Sequence, residues 1–136
     1  MTAPGVPSHA SLLADLVACL GAAQVLTGAD ADPYLTDWRR AVTGRALAVL
    51  RPGSCDEVAR VVRLCAAAGV PVVPQGGNTC QVAAATPSAD GGAVVLSLVR
   101  MNRIRAVDLD GDTITVEAGC VLQAVQDAAR QAERLF

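Results

Sequence analysis

The residues of this chain best suited to chemistry are Pro74-Gln75-Gly76-Gly77-Asn78-Thr79, a glycine pair at the end of an apolar run. Adjacent glycines followed by Asn and Thr let successive main-chain N–H groups turn toward one point. That geometry suits an anion, and a phosphate in particular. The Asn78 amide and the Thr79 hydroxyl would add donors. Two familiar phosphate loops are excluded by the residues present. A GxxxxGK[ST] loop needs a lysine, and all 11 basic residues here are arginine. A GxGxxG fingerprint needs glycines that open a helix, whereas these lead into an extended, proline-terminated stretch. What remains is a loop that wraps a diphosphate with main-chain N–H groups, or a plain tight turn.

Other chemistry-bearing residues have simpler readings. The single histidine, His9, lies near the N-terminus and reads as a solvent-exposed bystander. The 5 cysteines (Cys19, Cys55, Cys65, Cys80, Cys120) form no CxxC and no metal-ligand spacing, so reduced thiols in a cytoplasm are expected. Cys80 follows the glycine loop, where main-chain N–H groups would lower its pKa. Asp108, Asp110 and Asp112 read as a solvated turn, since no glutamate closes an EF-hand pattern. Arg100, Arg103 and Arg105 read as a charged strand edge. Glu117 beside Ala118-Gly119 could reach a ribose or serve only the fold. No metal site and no catalytic base is expected.

The elements that must position the loop are legible around it. Residues 1–7 are rich in Pro and Gly and are expected to be disordered. Ser8 or Ser11 caps a helix to about Leu20, with Leu12, Leu13, Leu16, Val17 and Leu20 on one face and Gly21 as its stop. Residues 27–45 are polar and irregular. A strand is expected at Ala46–Leu50, closed by Arg51-Pro52-Gly53. Ser54 and Glu57 form a capping box opening a helix that turns Val58, Val61, Val62, Leu64 and Cys65 inward and ends at Gly69. Val70–Val73 is a strand that delivers the glycine loop to the mouth of a sheet, where nucleotide-sized ligands are commonly held. Val94-Val95-Leu96 is another strand. Ile104–Leu109 and Thr113–Val116 pair around the Asp110-Gly111-Asp112 turn, and a helix from Val121 to Arg134 presents Val121, Leu122 and Val125 to a core.

With 136 residues, 52% of them hydrophobic but only 2% aromatic, the chain is expected to be one domain whose core is built from small and branched aliphatics. A net charge of −2 argues against a nucleic-acid partner, which needs a basic face. No run is long and apolar enough for a membrane span, and the N-terminus lacks a signal-peptide pattern. The element pattern is an α/β or α+β domain. The chain stops directly after its last helix, so it is expected to be the first part of something longer.

Several motifs in order resemble a known family. These are Arg51-Pro52-Gly53-Ser54 with Glu57-Val58, then Val72-Val73-Pro74-Gln75-Gly76-Gly77-Asn78-Thr79, Thr86-Pro87, Leu96-Ser97 with Met101-Asn102-Arg103-Ile104, and Val116-Glu117-Ala118-Gly119-Cys120-Val121-Leu122. Together they resemble the FAD-linked oxidases of the vanillyl-alcohol oxidase type, which share a PCMH-type FAD-binding domain. Within these the chain is most similar to the D-2-hydroxy-acid dehydrogenases (D-lactate, glycolate and D-2-hydroxyglutarate). The resemblance implies an α+β fold, with residues 1–33 an N-terminal helix and linker and 34–136 the first part of the FAD-binding domain. It implies FAD held at Pro74, Gln75, Gly76, Gly77, Asn78, Thr79 and Cys80, with Pro87 and Ser97 along the same groove.

The family loop continues Gly-Leu-Val-Gly-Gly, where this chain has Cys80-Gln81-Val82-Ala83-Ala84. Three glycines have gained a Cβ, and each costs on the order of 1 kcal/mol where the backbone is left-handed. The resemblance also implies that groups handling a small 2-hydroxy-acid substrate lie further on than these residues. Three functions stay open: the FAD-binding portion of an oxidoreductase acting on CH–OH groups of D-2-hydroxy acids, a non-catalytic remnant with weakened FAD binding, and a subunit completed by a separate polypeptide.

Overall fold

A computed structural model describes residues 8–136; the expectation for residues 1–7 lies outside them. Helix α1 (His9–Leu20) is capped by Ser8, whose hydroxyl accepts the Ser11 N–H at 3.2 Å. It ends on Gly21, whose φ of 85° few residues but glycine adopt. A two-residue strand β1 (Val25–Leu26) follows, then turns of 3₁₀ helix as far as Tyr34. Strand β2 (Ala48–Leu50) leads into α2 (Cys55–Ala67), then β3 (Val72–Gln75) and β4 (Val94–Ser97). The hairpin β5 (Ile104–Asp108) and β6 (Thr113–Val116) and the helix α3 (Leu122–Gln131) complete the order.

Four strands form one sheet in the order β1-β2-β4-β3. β2, β4 and β3 run parallel, with Leu50 beside Leu96 and Gln75 beside Ser97, while β1 is antiparallel at the edge. Because side chains alternate along a strand, the central strands serve two cores. Ala48, Leu50, Val94 and Leu96 pack with Leu12 and Leu16 of α1 and Val61 and Cys65 of α2. Val49 and Val95 face the other way, against Ala31, Leu26, Tyr34 and Leu35. Both faces are covered, which is why β2 and β4 read as unbroken apolar runs.

The capping box forms with a variation. Ser54 accepts the Glu57 N–H at 3.2 Å, but the Glu57 carboxylate reaches one residue further back, to the Gly53 N–H at 2.7 Å. On α2, Val61 and Cys65 are fully buried, and burial pushes the Cys65 thiol pKa up. Val62 is exposed, a correction to the sequence expectation that follows from its 100° offset from Val61. α3 likewise buries Val125 and Ala129 but leaves Val121, its N-cap, and Leu122 exposed. Strand β3 also sits two residues later than expected, so Pro74 and Gln75 end the strand rather than open the loop.

The open end of the hairpin is closed by Glu117. Its carboxylate, 1% exposed, accepts from the Arg103 N–H (3.0 Å), from Arg103 Nε and Nη2 (3.2 and 2.8 Å) and from Arg105 Nη2 (3.2 Å). Arg103, chiefly through its side chain, holds the Glu117 pKa down to about 2 from an ordinary 4.5. Two residues on, Gly119 donates to Met101 O at 2.8 Å in a spot so tight that a Cβ would fall 1.8 Å from Leu98 O. Glu117 is therefore committed to the fold rather than free for a ribose. Since its folded pKa is depressed, its stabilisation is complete above about pH 4.5 and is lost as pH falls toward 2. Denaturant unfolding compared between the native chain and Glu117→Gln is expected to show a gap that narrows across this window. A constant gap would refute the linkage.

Candidate cofactor-binding site

All three parallel strands end at the same edge of the sheet, where ligands of open α/β sheets are held. β3 releases Gly76 and Gly77 there, and β4 ends at Ser97 beside Gln75. The loop is braced from below by side-chain amides. Gln75, 3% exposed, donates through Nε2 to Tyr34 O at 2.9 Å and to Ala85 O at 2.8 Å. Asn78, whose φ of 53° is left-handed, donates through Nδ2 to Thr36 O at 2.8 Å. Glutamine and asparagine in this motif are thus tied to the scaffold. Of the two N–H groups of the Asn78 amide, read from sequence as a ligand donor, Thr36 O takes one.

Gly76, Gly77 and Thr79 are exposed at the sheet edge, and Asn78 and Cys80 are half-buried. A Cβ on Gly77 would meet nothing within 4 Å, and one on Gly76 would meet only Ala118 O at 3.7 Å. Neither glycine has a left-handed backbone, since the positive-φ glycines are Gly21, Gly28, Gly69 and Gly91. Nothing among the described residues therefore demands glycine at 76 or 77. Pro74 is exposed, whereas Pro87 is buried with its carbonyl against Gly44, where a Cβ would lie 1.8 Å away. Ser97 is 1% exposed and its Oγ has no hydrogen-bond partner; Thr86 Oγ1 is buried and unpartnered as well. Orphaned hydroxyls are costly, so each is a polar group awaiting a partner.

Beyond the loop, the three family glycines replaced here differ in consequence. Ala83 has φ of 56°, in the left-handed region, whereas Cys80 and Ala84 do not. Main-chain N–H groups of Val82 and then Ala84 hold the Cys80 thiol pKa below its usual value, against the opposing effects of desolvation and, more weakly, of the Asp37 charge. The segment opposite the loop was read from sequence only as polar and irregular, yet it forms a wall of the site. Asp37 there is 5% exposed and accepts the N–H groups of Ala41 and Val42, each at 2.7 Å. Residues 27–45 carry no periodic apolar signal, so only the burial of Asp37 marks the segment.

A mixed sheet with a glycine loop at its carboxyl edge and unpartnered hydroxyls beside it defines a cofactor-binding domain. The chain matches the FAD binding domain family over residues 46–136 and belongs to that family. The D-2-hydroxyglutarate dehydrogenase of Xanthomonas citri pv. viticola is 44% identical over 103 residues, which are 76% of this chain and 21% of that protein. Among solved structures, an alkyldihydroxyacetonephosphate synthase matches 97% of this chain and 26% of its own with a TM-score of 0.79 at 21% identity. Substrate-bound p-cresol methylhydroxylase matches 95% of this chain and 26% of its own with a TM-score of 0.75 at 23% identity. The fold is thus that of PCMH-type FAD-binding domains, and the chain spans about a fifth of its dehydrogenase relative. FAD fits the residues present: the open space over Gly76 and Gly77 admits a ligand close to the main chain, and Ser97 and Thr86 lack partners.

The strained alanine gives a stability prediction. Ala83→Gly is expected to stabilise the fold by about 0.5–1 kcal/mol, because it relieves a left-handed Cβ. Ala84→Gly, at an ordinary backbone angle, is expected to lose up to about 1 kcal/mol through greater freedom of the unfolded chain. Thermal melts of the two variants test the sign of each change, and equal shifts would refute the assignment.

Proposed function

We propose that this chain is the cofactor-holding portion of a flavin-dependent oxidoreductase that acts on the CH–OH group of D-2-hydroxy acids. Residues 34–136 carry the first part of the FAD-binding domain, and 1–33 precede it as helix and linker. Main-chain N–H groups of Gly76, Gly77, Asn78 and Thr79 receive the diphosphate, and these converging dipoles neutralise it without a cation. Pro74 and Gln75 fix the loop at the end of β3, Cys80 closes it, and Pro87 and Ser97 line the groove. FAD, when bound, accepts the two electrons released as a C2 alcohol becomes a ketone. The observation that carries this reading is the pair of glycines that neither backbone angle nor crowding requires. A ligand pressed against the main chain does require them.

The proton of the substrate hydroxyl needs a base, and His9, the single histidine, is exposed at the start of α1. By this reading the base and the substrate pocket come from polypeptide beyond these residues, in the same chain or as a complementary one. Such polypeptide has a cavity of about 230 Å³ to pack against, bordered by Val107, Ile114, Ala129, Leu135 and Phe136 together with Asp108, Asp112 and Arg134. Five unpaired cysteines, among them half-buried Cys19 and exposed Cys55, support a reducing compartment such as the cytoplasm. Among the described residues no helix is long and apolar enough to cross a membrane.

A weakened cofactor loop is the second reading, and the left-handed Ala83 favours it. Equilibrium dialysis with FAD decides between them. Saturable binding by the native chain is expected, and Gly77→Ala should weaken it at least about tenfold while leaving the melting temperature unchanged or slightly higher. Gly77→Ala with undiminished affinity contradicts the proposal. If Ala83→Gly alone restores binding that the native chain lacks, the second reading holds.

A further inference from the structure

Two carboxylates are buried among the described residues, Glu117 and Asp37. Glu117 is paired with arginines, whereas Asp37 enters no ion pair among the described residues. A buried charge is costly unless it is well bonded, so what Asp37 holds is informative. Its Oδ1 accepts the N–H groups of Ala41 and Val42, each at 2.7 Å. Its own N–H donates to Val42 O at 3.0 Å, and its carbonyl accepts the Arg40 N–H at 2.8 Å. These bonds close a turn over residues 37–42 and keep Arg40 at a left-handed φ of 57°, which persists only where the surroundings overdetermine it. The Thr36 and Thr43 hydroxyls, 3.0 Å apart, and the bond from Gly44 N–H to Leu35 O at 2.9 Å continue the closure outward from the turn. Trp38 and Arg40 of the turn form one wall of a cavity of about 510 Å³, which Asn78 also borders. Asp32 and Asp37 both line that cavity, so it does not suit an anion.

We infer that Asp37 is a positioning residue for the glycine loop: by closing the 37–42 turn it aims the Thr36 carbonyl, and that carbonyl fixes Asn78 and the main-chain N–H groups beside it. The inference rests on the diphosphate reading above. The connection runs through a single peptide plane. Thr36 C=O and Asp37 N–H belong to the same trans unit, so they point in opposite directions and turn together. The Asp37 carboxylate secures Val42, Val42 O secures the Asp37 N–H, and Thr36 O is thereby directed at Asn78 Nδ2, 2.8 Å away. Asn78 itself has a left-handed φ of 53°, and its amide makes no other hydrogen bond among the described residues. A loop ordered before a ligand arrives does not lose affinity to its own ordering. The charge of Asp37 works in the other direction. It is felt as far as Cys80, where it opposes the N–H groups of Val82 and Ala84 that lower the thiol pKa, and a carboxylate near the loop disfavours an anion. The geometry of this side chain, not its charge, is therefore what serves the site, and an amide of the same shape supplies it.

Calorimetric titration with ADP, as a diphosphate probe, separates these effects. Asp37→Ala removes the acceptor and the charge, whereas Asp37→Asn keeps an oxygen for the Ala41 and Val42 N–H groups and removes only the charge. Asp37→Ala is expected to raise the ADP Kd about tenfold, and Asp37→Asn to leave it at the native value or below. In an Asn78→Gly background, which tolerates the left-handed backbone but lacks the amide, Asp37→Ala is expected to change the Kd less than about twofold, because residues that act through one another are not additive. Amide spectra of the ligand-free ¹⁵N-labelled Asp37→Ala chain should show Gly76, Gly77, Asn78 and Thr79 displaced and the β5–β6 hairpin in place. Asp37→Ser, whose hydroxyl accepts one of the two N–H groups, is titrated alongside with an intermediate Kd expected, and it replaces Asp37→Ala if circular dichroism shows that variant unfolded. Native ADP affinity in the folded alanine or serine variant overturns this inference alone. So does an asparagine variant as weak as the alanine one, or a full tenfold effect in the Asn78→Gly background. No ADP bound by the native chain overturns the diphosphate reading and this inference with it.

Discussion

The architecture of the site depends on the two hydrogen bonds made by the Gln75 side-chain amide. Gln75 is the last residue of β3 and is buried, so its Nε2 has only protein to bond. One N–H reaches Tyr34 O, in the layer covering one sheet face, and the other reaches Ala85 O, in the loop after the glycines. Replacing the amide with an apolar group would leave both carbonyls short of a partner, at about 1–3 kcal/mol each if they stay dry. The Asn78 bond to Thr36 O repeats the device three residues later. The side-chain amides of the motif hold the scaffold, and the main-chain N–H groups of Gly76, Gly77, Asn78 and Thr79 enter none of the turn and loop hydrogen bonds among the described residues.

A second constraint closes the other side. Gly119 lies so near Leu98 O that only hydrogen fits, and Ala118 O is the nearest atom to a Cβ built on Gly76. The Glu117-Ala118-Gly119 turn therefore backs the glycine loop, and Glu117 pins that turn through Arg103 and Arg105. An ion pair remote from ligand chemistry thus helps determine where Gly76 sits. The arginines themselves are largely exposed, so the geometry of the buried carboxylate matters more than the strength of either pair. β4 ends between these two walls at Ser97, whose buried hydroxyl has no hydrogen-bond partner.

The sequence was legible where local chemistry decides the outcome. Ser54 and Glu57 announce the start of α2, and Asp110-Gly111 announces the hairpin. It was less legible where tertiary packing decides. β1 is two residues long and exists because Val25 and Leu26 pair with Leu50 and Val49, a contact no local pattern encodes. Val62, Val121 and Leu122 are apolar by type yet exposed, because the helix phase and not the residue type sets which side is covered. Asn78 and Gln75 carry the signature of ligand donors, but their partners are carbonyls 42 and 41 residues away in sequence. The Trp38 wall was hidden for the same reason: Asp37 looks like an ordinary surface aspartate until the N–H groups of Ala41 and Val42 are folded onto it.

Nuclear magnetic resonance of the ¹⁵N-labelled chain during titration with ADP reads the amides of the loop one by one. If Gly76, Gly77, Asn78 and Thr79 receive the diphosphate, their N–H resonances shift saturably and together, while those of the hairpin and α3 stay in place. Saturable shifts confined to residues 104–136, or no shift of the four loop amides at millimolar ADP, would contradict the assignment of this loop as the phosphate site.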